Sequence, residues 1–399
     1  MARKRKRRNK GSGSEQWIED RQVWRVSKTV NGRKFYAYGY PLTQAWEKLN
    51  RKSFGVISGV FGELSESSRV DELAEHYIAQ RANDGKLSSR KHSERILRTY
   101  VVPHLGRLTL DKVTPADVSG MMRTLGLKGG RNGRKLSPQT ANHAKKESSA
   151  IFDWAVKRDL MKRNPASDDF VKSLKVEKTV RAMTQEEWLE VKEHSKHEPL
   201  RVLIETAVKT GLRRGELLAL TWDDLKLDSK RPTLTVRRTI QRISDHGFVL
   251  TSPKTKLSRR TLDLHPALVK DLIAYRKSQD EKRKTLSASG MKWGEMFPKD
   301  RWVFANGIGN PIEGNYFGKE LKRITDEAGV GSWTPHELRH TCASFAIASG
   351  VHLKELQEFL GHSSIKETAD TYAFLYPASR VETTMKIGDF ADGKSFDQR

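Results

Sequence analysis

Two glycines divide residues 336–372 into three amphipathic segments, and that division limits how the end of the chain can fold. Leu338, Cys342, Phe345, Ala346 and Ser349 recur at helical spacing before Gly350; Leu353, Leu356 and Leu360 do so before Gly361. Ile365, Ala369 and Tyr372 then share a face. The spacing predicts a helix buried along its length and a second ended by Gly361. A third turns the Tyr372 phenol inward, toward the histidines. Only the start of the first helix is free for chemistry. There His336 and Arg339 lie three residues apart on one face, beside first-turn N–H groups that suit an anion. Gly361, lacking a side chain, lets the chain turn and present His362. Taken singly, a His-x-x-Arg-His string reads as a solvated helix start and a tyrosine on an apolar face reads as core. The argument rests on their combination.

That combination, His336-x-x-Arg339, then Leu360-Gly361-His362, then Tyr372, resembles the signature of the tyrosine recombinase family, the phage-integrase-type enzymes. Upstream, Thr210-Gly211-Leu212-Arg213-Arg214-Gly215-Glu216-Leu217 matches the family's T-G-x-R-x-x-E-L box. The resemblance implies that Arg213 is the first catalytic arginine, Arg214 points elsewhere, and Glu216 orients an arginine. It implies a catalytic lysine on a β-hairpin, Lys254 by position with Lys256 as runner-up. Tyr372 becomes the nucleophile, with Tyr376 its competitor, and His340 is structural. Phe374 stands where many relatives carry histidine, a position outside the catalytic set.

Composition points to the same class of partner. The 74 Lys and Arg against 49 Asp and Glu give +25, which calls for a polyanion. No apolar run approaches the ~18 residues of a membrane span, so nucleic acid is favoured over a membrane surface. The basic start at residues 3–8 runs into Gly11-Ser12-Gly13-Ser14, unlike a secretory signal. A single cysteine, Cys342, provides neither a disulfide framework nor a Cys-based zinc site, as expected in a reducing cytoplasm. No Walker-type loop and no pair of cysteines is present, so neither cofactor nor metal is expected.

The chain reads as a multidomain protein. Residues 1–14 form a basic flexible arm. Residues 15–55 contain aromatic and β-branched runs around Asn31-Gly32, a hairpin signal, then a short helix carrying Ala45, Trp46 and Leu49. This small α+β unit resembles the arm-type DNA-binding domain of lambda-like integrases, with Arg25, Lys28, Arg33 and Lys34 for DNA. After a linker at 56–68, residues 69–166 form an all-α block that is similar to the family's core-binding domain. In it Val70, Leu73, Ala74, Tyr77 and Ile78 share one face, a second stripe ends at Pro103, Pro115 opens a third helix, and a fourth covers 141–156. The basic loop between the last two supplies Lys128, Arg131, Arg134 and Lys135 for phosphate contacts. A second linker covers 167–181. Residues 182–380 form the catalytic domain, mainly α with a small antiparallel sheet, entered through a capping box at Thr184–Glu187. Its strands are expected at 233–237, 248–250 and 261–264, followed by a charged insertion at 277–300. Residues 381–399 are a polar tail.

The resemblance implies an integrase of a temperate phage or other mobile element, acting as a homotetramer on synapsed double-stranded attachment sites in the bacterial cytoplasm. A DNA-bending host factor and an excisionase are possible partners. Tyr372 would attack a phosphodiester with His336 as base, Arg213 and Arg339 clamping the nonbridging oxygens and His362 adding a donor. Lys254 would protonate the leaving 5′ oxygen, giving a 3′-phosphotyrosine. A type IB topoisomerase and a non-catalytic DNA-binding regulator are the rival readings.

Overall fold

The computed structural model describes residues 14–19, 22–30, 33–46, 48–49, 64–81, 85–129, 135–176, 180–243, 245–253, 256–297, 301–372 and 391. It divides into two compact units, Met1–Glu177 and Lys178–Arg399.

The first unit begins with an antiparallel sheet, β1 (Ser14–Ile18), β2 (Val23–Val30) and β3 (Arg33–Gly39), in that order. The pairing of Val30 with Arg33 brackets Asn31-Gly32, which itself lies outside the described residues. Strand alternation puts Trp24, Val26 and Lys28 on one face with their partners Gly39, Ala37 and Phe35. Val26 and Ala37 form a small core with Ala45 and Leu49 from the helical residues that follow.

A helical block forms around a second core. Its helices are α1 (Val70–Gln80), α2 (Leu87–Ile96), α3 (Val102–Leu105), α4 (Pro115–Lys128) and α5 (Pro138–Val156). The stripe expected to end at Pro103 runs past it. Leu97–Val101 form a π-turn in which the Val102 N–H reaches the Leu97 carbonyl, and the helix resumes with Pro103 in a first turn, where its missing N–H costs nothing. Helix α5 starts three residues earlier than expected, because Ser137 caps it and Pro138 fits its first position. Residues 66 and 68, assigned to a linker, accept backbone hydrogen bonds from Asp111 and Leu110.

The second unit opens with α6 (Gln185–His194) behind the Thr184/Glu187 capping box, then α7 (Arg201–Thr210) and the short α8 (Arg214–Leu217). Two small antiparallel sheets follow where one was expected. One has the order β4 (Leu225–Lys226), β5 (Thr233–Thr235), β8 (Thr261–Asp263); the other pairs β6 (Thr239–Ile243) with β7 (Gly247–Thr251). Much of the supposed insertion at 277–300 is helix, since α9 spans Pro266–Ala288. Only its first turns bury apolar residues, Leu268, Val269 and Leu272. Its later turns are held by polar contacts: Gln279 accepts from the Trp222 indole at 2.7 Å and donates to the Val303 carbonyl at 3.1 Å, and Asp280 pairs with Arg301 at 2.7 Å. Trp302, Val303 and Phe304 are fully buried. The chain ends its described course with α10 (Gly314–Glu327), α11 (Pro335–Ala348), α12 (Leu353–Leu360) and α13 (Ile365–Tyr372). Helix α11 buries Leu338, Arg339, Cys342 and Ile347 while Ser349 is exposed, and α13 buries Thr368 and Tyr372 rather than Ile365. No described helix is long and apolar enough to cross a membrane.

Candidate active site

The site forms where the ends of α7 and α12 meet the start of α11. Gly211 and Gly361 end α7 and α12 in the left-handed conformation, at φ 58° and 68°, which a side chain disfavours. Each exposes carbonyls that the helix cannot satisfy itself. Three arginines take them. Arg260 Nε donates to the Phe359 carbonyl at 2.7 Å, Arg339 Nη2 to Leu360 at 2.9 Å and Arg213 Nη2 to Gly361 at 3.2 Å. Arg339 Nη1 also reaches the Gly211 carbonyl at 2.6 Å. Cationic groups at a helix C-terminus complement its dipole, so the fold itself draws three guanidiniums together.

Glu216 stands between two of them. Its Oε1 accepts from Arg213 at 2.9 Å, and its Oε2 accepts from the Arg213 backbone N–H at 3.1 Å and from both terminal nitrogens of Arg260 at 3.3 Å. Three cations thus surround one buried carboxylate. Burial lowers the Arg339 guanidinium to about 10, with the charges of Arg213 and Arg260 adding to the effect, and it remains a cation at neutral pH. The imbalance favours an anion. Arg339 is 2% exposed, whereas the Arg213 side chain is 35% exposed and opens the cluster to solvent. Arg214 is directed away, its Nη1 toward the Gly314 carbonyl at 3.5 Å.

The phenol closes the other side. Tyr372 is buried, and its hydroxyl lies 2.7 Å from Nδ1 of His340. The His362 ring stacks beside the phenol, centroids 6.4 Å apart and planes 5° off parallel, with its Nδ1 2.8 Å from Thr368 Oγ1. His336 is exposed at the rim, its ring centroid 4.6 Å from that of His340. The imidazole on the hydroxyl is therefore that of His340, which the sequence suggested was structural. The spacing of His336 and Arg339 indicated a shared face, but which turn of α11 meets Tyr372 depends on how α13 packs.

Burial pushes the Tyr372 phenol up to about 12. Burial, then the neighbouring His336 and Arg339, push His340 down to about 4; burial and three arginines push His362 down to about 3. His336 is lowered too, by desolvation and by Arg339 and Arg213. The imidazoles are thus neutral at pH 7, able to accept a proton. Cys342 is not a rival nucleophile, because burial raises its thiol to about 12. At the start of α11, Thr334 Oγ1 takes the Glu337 N–H at 3.4 Å and the Glu337 carboxylate accepts from the Thr334 N–H at 2.7 Å.

Lys254, the side chain of Lys256, Tyr376 and Phe374 lie outside the described residues, as do Arg131, Arg134, the side chain of Arg33, and most of the tail at 381–399. Of the other residues expected to meet DNA, Lys128 and Lys135 are exposed at the ends of their loop. Arg25 and Lys34 share the sheet face opposite Val26, both over the Tyr36 ring, at 4.6 and 5.4 Å. Lys28 is on the other face. Among the described residues, no group of three or more His, Cys, Asp or Glu side chains is arranged to hold a metal ion.

Comparison with known proteins places this geometry in context. The phage integrase family model matches residues 178–378, and the phage integrase central domain model matches 70–169. A XerC-like tyrosine recombinase of Caldanaerobacter subterraneus is 30% identical over 255 residues, covering 60% of this chain and 63% of that protein, just under two thirds of its length. The ICEBs1 integrase of Bacillus subtilis is 27% identical over 328 residues, 82% of this chain and 84% of that one. Among solved structures, the Tn1549 transposon integrase in complex with a circular intermediate DNA superposes with a TM-score of 0.66 at 22% identity, over 81% of this chain and all of that one. The multidomain fold, mainly helical with small antiparallel sheets, is that of these integrases.

Proposed function

The chain belongs to the phage integrase family, and on that premise we propose that it is a site-specific DNA recombinase of a temperate phage or other mobile element, joining strands through Tyr372. The observation that carries the reading is the Tyr372 hydroxyl held on a neutral imidazole beside a cluster of guanidiniums that includes the buried Arg339.

The proposed chemistry follows from those groups. A scissile phosphodiester meets Arg213 and Arg339, whose N–H groups not engaged with carbonyls or Glu216 clamp its nonbridging oxygens as charge builds during attack. The family motif assigns the phenolic proton to His336, with His362 beside the phenol as a further donor. Lys254 is the proposed acid for the leaving 5′ oxygen. The product is a 3′-phosphotyrosine and a free 5′ hydroxyl. Because the bond energy is kept in the protein–DNA link, a second 5′ hydroxyl reverses the step without a cofactor. The family reading carries with it a homotetramer on synapsed attachment sites, a host bending factor and an excisionase. It also carries the domain boundaries stated above, with Arg25, Lys28, Arg33, Lys34, Lys128, Arg131, Arg134 and Lys135 as DNA contacts.

Covalent trapping tests the proposal. Wild type and Tyr372→Phe are incubated with nicked duplexes of random sequence and denatured. Wild type is expected to retain DNA and the Phe variant to retain none. Equal trapping by both would move the nucleophile elsewhere, with Tyr376 next, and tight binding without trapping by either would favour a DNA-binding regulator.

A further inference from the structure

We propose that His340 is the base of strand cleavage, its Nδ1 taking the Tyr372 proton as the phenolic oxygen attacks phosphorus. The proposal rests on the recombinase reading and adds to it a residue outside the set carried over from the family motif.

Two imidazoles, His340 and His362, border the phenol and a third, His336, packs against His340; geometry separates them. His362 lies flat beside it with Nδ1 engaged by Thr368. His336, one turn before His340 on α11, is exposed at the rim. His340 sits between that rim and the phenol, half-buried, with Nδ1 2.7 Å from the hydroxyl and ring centroids 5.5 Å apart. This is within the range in which a base abstracts a proton directly. In the Nε2–H tautomer the phenol donates and Nδ1 accepts.

The groups facing His340 are His336, Arg339 and Glu337 on its own helix, Tyr372 on α13, and His362 on the turn before it. Two of the three on its own helix disfavour the imidazolium, so the acceptor lone pair is open at neutral pH. The phenol keeps its proton until attack. As Oη forms its bond to phosphorus, the proton passes to Nδ1, the P–O5′ bond breaks, and the 5′ oxygen takes a proton from the general acid proposed at Lys254. In rejoining, the 5′ hydroxyl attacks and the leaving phenolate recovers its proton from the imidazolium. The bound phosphodiester brings a negative charge that favours the imidazolium, so binding substrate raises the basicity of His340 when it is needed.

The test uses full-length wild type, His340→Asn, His340→Ala and His336→Ala on the random-sequence nicked duplexes. Single-turnover rates of covalent adduct are measured from pH 4.5 to 8.5, alongside binding of the same duplexes. Both His340 variants are expected to bind normally and to slow by about 10²-fold or more, losing the acid limb of the profile, while His336→Ala keeps that limb. Asparagine offers the hydroxyl an amide oxygen but cannot take a proton. If His340→Asn matches wild type in rate and profile, or if the limb is lost only in His336→Ala, the proposal is overturned. A measurement on unaltered protein guards against misfolded variants: the His340 Nδ1 resonance of wild type should be that of an unprotonated acceptor and should move in Tyr372→Phe, and a protonated Nδ1 at pH 7 would overturn it. Failure of wild type to form any adduct overturns the recombinase reading itself and is distinct from all of these results.

Discussion

Glu216 is the residue on which the arginine cluster depends. It is 3% exposed and, among the described residues, is the carboxylate bonded to both Arg213 and Arg260, while a third guanidinium, Arg339, lies close enough to feel both. Removing one partner of a buried ion pair leaves a charge without compensation, at a cost of about 3–5 kcal/mol. Glu216→Ala is therefore expected to destabilise the second unit by that amount, read as a lower urea midpoint at unchanged slope, and a loss under about 1 kcal/mol would contradict the account. The motif made Glu216 readable as an arginine holder, but it could not show Arg260, which lies 44 residues away in sequence and is buried only because β8 and the end of α12 bring it to the carboxylate. His340 went unread for a similar reason: its role depends on a contact with a residue 32 positions away.

At the scale of elements, the turn after α12 sets the arginine array, because its three successive carbonyls give each guanidinium a fixed anchor. A Cβ at Gly361 would stand 2.9 Å from Arg260 Nη1 and 3.1 Å from the Leu257 carbonyl, in a backbone conformation that side chains resist. Gly361→Ala is expected to cost at least about 1 kcal/mol in urea unfolding and to slow adduct formation while DNA binding is retained, because Arg260 must shift. Unchanged cleavage would show that the array tolerates that shift. The turn was legible from Leu360-Gly361-His362, as were the Thr184 capping box and the helix ended by Gly211, since caps and glycines act locally. The later half of α9 was not legible: its contacts to Trp222, Val303 and Arg301 are polar and long-range, and no apolar period marks them. The π-turn before Pro103 was hidden likewise, since proline ordinarily signals an end.

For the whole molecule, acid is the informative variable. His76 and His92 in the first unit, and His336, His340 and His362 in the second, are all held below the ordinary imidazole value, burial being the first cause in each. A histidine depressed by folding binds protons more readily in the unfolded chain, so its stabilisation is complete above about pH 6.5 and is lost as pH falls toward the folded value. For His340 and His362 that loss continues to about 4 and about 3. Ordinary carboxylates stay ionised in both states down to about pH 5, so histidines dominate the range between 6.5 and 5. Glu75, raised by burial, works in the opposite direction. The chain's formal charge of +25 adds self-repulsion that also grows in acid, but that part is screened by salt whereas the histidine part is not. The urea midpoint is therefore expected to fall between pH 7.5 and 5 even at high salt, and His362→Asn should flatten the decline more than His76→Asn, because His362 is the more enclosed. A midpoint that holds constant at high salt would show that these imidazoles are not buried neutral in solution.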